Sequence, residues 1–141
     1  MNIKIVKNLS QAELTGELVG FDVETTITQE MDKLAVVQVY QESNDTCYVV
    51  PIRTKTLKES PEDFDINKNI IKTLRRVGHY LQFDLAEVLY HYGEMPTPVG
   101  DTFLVACMLQ WKHKGLKTIS KVFCPESESR EIEDVIDLTI S

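Results

Sequence analysis

No stretch of the sequence approaches the ~18–20 consecutive apolar residues that a bilayer span requires, which excludes a membrane-spanning helix within these 141 residues. The opening Met1-Asn2-Ile3-Lys4-Ile5-Val6-Lys7 lacks a long apolar run followed by a small-residue cleavage site, so no secretory signal is read and a cytoplasmic protein is expected. Cysteine is sparse and odd in number: Cys47, Cys107 and Cys124 form no Cys-x-x-Cys pair, and no histidine stands at a zinc-finger spacing from them. Reduced, mostly buried thiols are expected. Positive charge is also short, with 15 Lys and Arg against 22 Asp and Glu, a net charge of −7 and a pI near 4.9. That balance argues against a protein that coats nucleic acid by bulk electrostatics. It leaves open a metal-dependent nuclease, in which carboxylates concentrate cations and a local basic patch holds phosphates. No repeat and no low-complexity segment is present.

What is there suits one globular domain with its own core: 43% hydrophobic and 26% charged residues over 141 positions. Ile3 to Val6 reads as a strand or a docking arm, and Ser10-Gln11-Ala12-Glu13 as the start of a short helix. Leu18 to Val23, Leu34 to Tyr40 and Cys47 to Ile52 are β-rich runs. The last two are separated by the polar turn Glu42-Ser43-Asn44-Asp45, which gives an antiparallel meander. The period then changes. Asp63 to Arg76 fits a helix with a basic end (Lys72, Arg75, Arg76), Val77-Gly78-His79 a short strand, and Phe83 to Tyr92 a helix stopped by Gly93. Pro96-x-Pro98 forces an extended link. Helices are predicted over Thr102 to Trp111 and Leu116 to Phe123, the latter ended by Pro125. The pattern is that of an α/β domain over residues 1–125 with a mixed sheet. Residues 126–141 read as an acidic tail, loosely attached or partly disordered, or as a helix needing absent neighbours.

Two segments carry acids where chemistry could use them. In Phe21-Asp22-Val23-Glu24-Thr25-Thr26, strand alternation puts Asp22 and Glu24 on one side at the strand's end. Two such carboxylates repel unless water or cations neutralise them; Mg²⁺ or Mn²⁺ would do so, and solvation at a strand end would too. In Val77-Gly78-His79-Tyr80-Leu81-Gln82-Phe83-Asp84-Leu85, Asp84 falls in or just before the first turn of a helix. There it either aims back over the sheet edge or only serves the helix dipole. His79 reads as a hydrogen-bonded histidine or a phosphate contact, and Tyr80 and Phe83 read as packing residues or base-stacking platforms. Lys112, His113, Lys114, Lys117 and Lys121 form the densest positive cluster, a solvated helix face or a phosphate contact.

Taken together, these segments resemble a known family. Phe21-Asp22-Val23-Glu24-Thr25-Thr26 is similar to the first motif of the DnaQ-like (DEDD) 3′→5′ exonucleases, nearest to the proofreading domains of family A DNA polymerases. Gly78-His79-Tyr80-Leu81-Gln82-Phe83-Asp84-Leu85 resembles the second motif. Asp101-Thr102 followed by Leu109, and Gly115-Leu116 followed by Phe123, resemble two further helix starts of that family. The resemblance runs from Leu18 to Phe123 and implies an RNase H-like fold: a mixed sheet of a three-stranded antiparallel meander plus parallel strands, flanked by helices. It implies two divalent ions, Mg²⁺ or Mn²⁺, acting on the 3′ end of a single DNA strand. Asp22 would bridge both ions, Glu24 would hold the one that activates water, and Asp84 would help to fix the other. Thr25, His79, Tyr80 and Phe83 would be the substrate contacts, and Asp101 a structural residue at its helix start.

The resemblance is incomplete at its end. The family's third motif, Tyr-x-x-x-Asp or His-x-x-x-x-Asp, needs a tyrosine or histidine after the Gly-Leu helix. None follows Tyr92 and His113 respectively. Tyr80 also stands where the family commonly has Asn. The later acids Asp134 and Asp137 are the remaining candidates for the missing ligand. Three expectations follow: a piece of a larger polymerase or exonuclease, a subunit completed by another chain, or a catalytically silent module on the same fold that binds protein or nucleic acid. Self-association over an uncovered apolar face is expected as well.

Overall fold

The computed structural model describes residues 1–27, 32–94, 100–112, 114–126 and 136. The expectations for the Pro96-x-Pro98 link, His113, Asp134, Asp137 and nearly all of the acidic tail lie outside them. The strands are β1 (Asn2–Ile5), β2 (Val19–Ile27), β3 (Asp32–Gln41), β4 (Thr46–Pro51), β5 (Arg76–Gly78) and β6 (Gly100–Asp101). The helices are α1 (Pro61–Thr73), α2 (Leu81–Tyr92), α3 (Thr102–Met108) and α4 (Leu116–Phe123). One sheet runs in the order β1-β4-β3-β2-β5-β6. β2, β3 and β4 form the expected antiparallel meander, while β5, β6 and β1 join in parallel. No helix among the described residues is long and apolar enough to cross a membrane.

Strand alternation decides which face is dry. Val19, Phe21 and Val23 of β2 enter the main core with Val37 and Val39 of β3 and Tyr48 and Val50 of β4. Ile71 of α1 and Leu81, Leu85 and Val88 of α2 close over them. Gly20, Asp22 and Glu24 therefore belong to the other face, where Ala35, Val36 and Val49 make a smaller cluster with Ile136. The register of β2 against β3 shifts between Glu24 and Thr25, a bulge that ends this alternation next to the acids.

Several boundaries differ from expectation for local reasons. The helix read at Ser10–Glu13 is only a 3₁₀ turn, Leu9–Gln11. The Leu9 amide donates to Asn67 Oδ1 (2.8 Å) and the Ser10 amide to Asn8 Oδ1 (2.9 Å), so side chains engage amides at its start. Helix α1 begins earlier than read, at Pro61, because Ser60 caps it and Asp63 answers in a capping box. It also ends earlier, and Arg76 is not its basic terminus. Arg76 is 1% exposed in β5, donates to the Ile71 and Leu74 carbonyls at 2.8 and 2.7 Å, and lies over the Phe21 ring. Helix α3 stops at Met108, shortly before Gln110 turns left-handed at φ 56°. The cysteines are free, but none is buried; Cys124 is exposed.

Gly78 marks where the second half of the sheet meets the first. A Cβ there would stand 2.8 Å from the Phe21 carbonyl oxygen and closer still to the Leu81 side chain. Gly78→Ala is expected to destabilise the fold by about 1–3 kcal/mol through overpacking, read as a lower urea midpoint with an unchanged slope. Gly20→Ala, whose nearest contact would be 3.5 Å, serves as the milder comparison.

Candidate active site

The turn from β5 into α2 is built around one carboxylate. Asp101 caps α3 by accepting from the Phe103 amide (2.8 Å) and the Leu104 amide (3.4 Å). The same group reaches back about twenty residues to accept from Tyr80 (2.9 Å) and Leu81 (2.7 Å) at the start of α2. Burial alone would raise its pKa, but those four amides outweigh burial and hold it below the ordinary carboxylate value. The clamp holds Tyr80 left-handed, at φ 58° and ψ 50°, a region that costs a tyrosine about 1–2 kcal/mol. Sequence reading gave Asp101 its helix cap and missed its grip on α2, which is a tertiary contact with no local signature.

His79 is tied into the same corner. Thr102 Oγ1 lies within hydrogen-bonding distance of both the Gly78 carbonyl (3.2 Å) and His79 Nδ1 (2.8 Å). The imidazole also meets the edge of Phe103 at 5.5 Å, as Tyr80 does at 5.0 Å. Tyr80 and Phe83 are 48% and 40% exposed, so they are not core packing and stay available to a ligand. Thr25 is half-buried just past the bulge. The lysines Lys112, Lys117 and Lys121 are exposed, Lys114 is half-buried, and α4 has no buried residue.

With the turn so held, the first turn of α2 delivers Asp84 to the acids of β2. Asp84 is 3% exposed, and its pKa is pushed up to about 7. Burial is the main cause, followed by the charge of Asp22, with smaller contributions from Glu24 and Asp101; the Val23 amide opposes them. Asp22 is accessible to solvent yet sufficiently surrounded that desolvation raises its pKa too. Burial thus disfavours the charge on both, and at Asp84 the Asp22 charge adds to it. A cavity of about 350 Å³ opens beside Asp22, lined also by Gln38, Tyr40, Cys47, His79 and Thr102. The structure thus brings Asp22, Glu24 and Asp84 within electrostatic reach of one another. Among the described residues, no three acidic, histidine or cysteine side chains are close enough to enclose a metal ion as they stand. The donors are nevertheless the hard oxygen ligands that Mg²⁺ or Mn²⁺ takes, carrying mutual repulsion that a cation would relieve.

Two outcomes are expected. Asp84 is ionised in the unfolded chain from about pH 4, but in the folded chain only near pH 7. The folded state therefore binds the extra proton between those values, and the ion-free protein loses stability as pH rises through that window. Asp84→Asn removes the loss. It should be the more stable protein at pH 8, by up to about 4 kcal/mol at about 1.4 kcal/mol per unit, and should converge with the parent near pH 4, as read by urea denaturation at each pH. Asp101→Asn turns an amide donor toward backbone N–H groups and should cost about 1–3 kcal/mol, whereas Tyr80→Asn relieves the left-handed turn and should gain about 1 kcal/mol.

A family model described as 3′-5′ exonuclease matches residues 2–133. No curated protein matches the sequence. Among solved structures, Brucella melitensis NrnC is similar at 25% identity with a TM-score of 0.67, over 93% of this chain and 65% of NrnC. Escherichia coli RNase D, an exoribonuclease involved in structured RNA processing, shares the fold at 16% identity with a TM-score of 0.68, over 98% of this chain and 37% of its own. The Aedes aegypti Nibbler EXO domain does so at 10% identity and a TM-score of 0.68, over 97% of this chain and 74% of its own. This chain therefore spans about two thirds of NrnC. The six-stranded mixed sheet flanked by helices is the RNase H-like exonuclease fold, and the chain belongs to the 3′-5′ exonuclease family.

Proposed function

We propose that this domain is a metal-dependent 3′→5′ exonuclease acting on the free 3′ end of a single nucleic-acid strand, with Asp22, Glu24 and Asp84 as its catalytic acids. The observation that carries the reading is the convergence of these carboxylates, marked by an Asp84 that the charges of Asp22 and Glu24 help to keep protonated. A fold that serves only as a scaffold gains nothing from this repulsion, whereas a cation site uses it. The chemistry that bound Mg²⁺ or Mn²⁺ would supply is activation of the attacking water and stabilisation of the 3′ oxygen that leaves. Asp22 would bridge the ions, Glu24 would hold the one beside the water, and Asp84 would complete the other. The exposed Tyr80 and Phe83 rings would offer faces to the terminal base, with Thr25 at the edge of the bulge. His79, whose Nδ1 is hydrogen-bonded to Thr102, would be a further contact of the substrate.

The substrate is proposed as RNA or DNA, not DNA alone. Resemblance to polymerase proofreading domains favours DNA, while the solved relatives include an exoribonuclease, and NrnC is known bound to pGG and with bound Mg²⁺. A second reading is a silent exonuclease-fold module that binds a partner. It is favoured by the lack of a closed ligand cluster among the described residues and by the missing third motif.

The test is degradation of 5′-labelled single strands of DNA and RNA by the 141-residue chain with Mn²⁺. A ladder shortening from the 3′ end is expected, reduced at least 100-fold in Asp84→Ala and in Asp22→Ala, a loss of about 2.7 kcal/mol or more in transition-state stabilisation. A folded parent that yields no ladder on either polymer supports the silent module and sinks the enzyme.

A further inference from the structure

A larger concavity, of about 590 Å³, lies at the same end of the sheet as the acids, on the helix-covered face from which α2 brings Asp84; Arg53, Lys58, Pro61, Phe64, Asp65 and His91 are among its lining. Two independent spans give its distance. Glu24, Val36 and Pro51 are direct neighbours in one row across β2, β3 and β4, and at about 4.8 Å per strand the end of β4 is roughly 10 Å from the Glu24 backbone. Helix α2 carries Asp84 near one end and His91 near the other, a rise of about 10 Å at roughly 1.5 Å per residue.

The wall holds an arrangement that stability does not account for. Arg53 and Lys58 face each other across an antiparallel bridge. Like charges placed directly opposite in such a pair are destabilising. The turn between them is tightly built: buried Thr54 donates from both its amide and its hydroxyl to the Leu57 carbonyl at 2.9 Å and accepts from the Leu57 amide at 3.0 Å. The Glu59 amide donates to Ile52 at 3.0 Å and closes the loop. Neither cation forms an ion pair among the described residues.

The nearest buried acid is already engaged. Glu59 is 4% exposed in its side chain. It accepts from His91 Nε2 (2.9 Å), Asn67 Nδ2 (2.8 Å) and the Tyr92 hydroxyl (2.5 Å). That leaves two cations on a fixed turn, an apolar wall of Pro61 and Phe64, and room for a nucleotide. Among the described residues of the wall, Asp65 is the carboxylate left over, and it opposes an anion.

We propose that this cavity is an upstream subsite of the exonuclease, in which Arg53 and Lys58 clamp a phosphodiester of the substrate strand. It rests on the exonuclease reading. A single strand is more extended than the rise of about 3.4 Å per nucleotide in a duplex, so the clamped phosphate lies within about three nucleotides of the scissile bond. The single phosphodiester of a dinucleotide is the scissile one, so it has none to offer the clamp, whereas a longer strand has. The site therefore supplies affinity that depends on length and carries no sequence preference.

The experiment compares the parent, Arg53→Ala/Lys58→Ala and Asp65→Asn on a dinucleotide and a seven-nucleotide single strand of whichever polymer is degraded. The double variant is expected to raise KM for the seven-mer roughly 10-fold at unchanged kcat, and to leave dinucleotide kinetics alone. The slope of log KM against log salt should fall in magnitude by about 0.7, for one phosphate neutralised on a single strand. Asp65→Asn should lower the seven-mer KM. Equal effects on both lengths, or none on the seven-mer, overturn the subsite. Fluorescence anisotropy of the labelled seven-mer without divalent ion separates this from the parent reading. If no strand is degraded, the exonuclease reading fails, while equal seven-mer affinity in parent and double variant overturns the subsite by itself.

Discussion

The closeness of the β5–α2 turn to β2 is the constraint from which the site follows. Gly78 can lie against the Phe21 carbonyl only because it has no side chain, and Asp101 gathers four amides to hold the next residues in place. Without that contact α2 could not present Asp84 to Asp22 and Glu24. The same contact costs backbone strain at Tyr80, which Asp101 offsets with two of its hydrogen bonds. One aspartate thus stabilises the start of two helices and fixes the spacing of acids it does not join.

The acids show why such a site is in tension with the fold that carries it. A buried Asp84 beside ionised Asp22 is a repulsion that folding must overcome at neutral pH. Elsewhere in the molecule, buried charge is quenched: Arg76 by carbonyls and the Phe21 ring, Glu59 by His91, Asn67 and Tyr92. Asp63 receives the Asn8 amide and caps its own helix. Around Asp84 the charges of Asp22 and Glu24 add to the cost of burial, a repulsion that the proposed cation would relieve.

The meander, the parallel strands beyond it, α2 with its Gly93 stop and α4 were legible in the sequence, because alternation, turn residues and helix periods are local signals. So was the pairing of Asp22 and Glu24 on one face, since it follows from strand geometry alone. The early end of α1 was not legible, because Arg76 is drawn into β5 by carbonyls and an aromatic ring that are tertiary partners. Exposure of Cys124 was misjudged for a similar reason: hydrophobic type predicts burial only on average, and this side chain sits where the fold leaves a face open. The length-sensing cavity carries no motif at all. Arg53 and Lys58 meet through a turn whose geometry depends on Thr54, and neither residue type nor spacing signals a site.

The central claim is that the convergence of Asp22, Glu24 and Asp84 is a divalent-cation site. The most direct measurement is Mn²⁺ binding to the 141-residue chain at pH 8, followed by the loss of the free-ion electron paramagnetic resonance signal, in the parent and in Asp22→Ala. The account predicts saturable binding by the parent that is abolished in the variant while the variant remains folded. Equal binding by both proteins, or none by a folded parent, would contradict it.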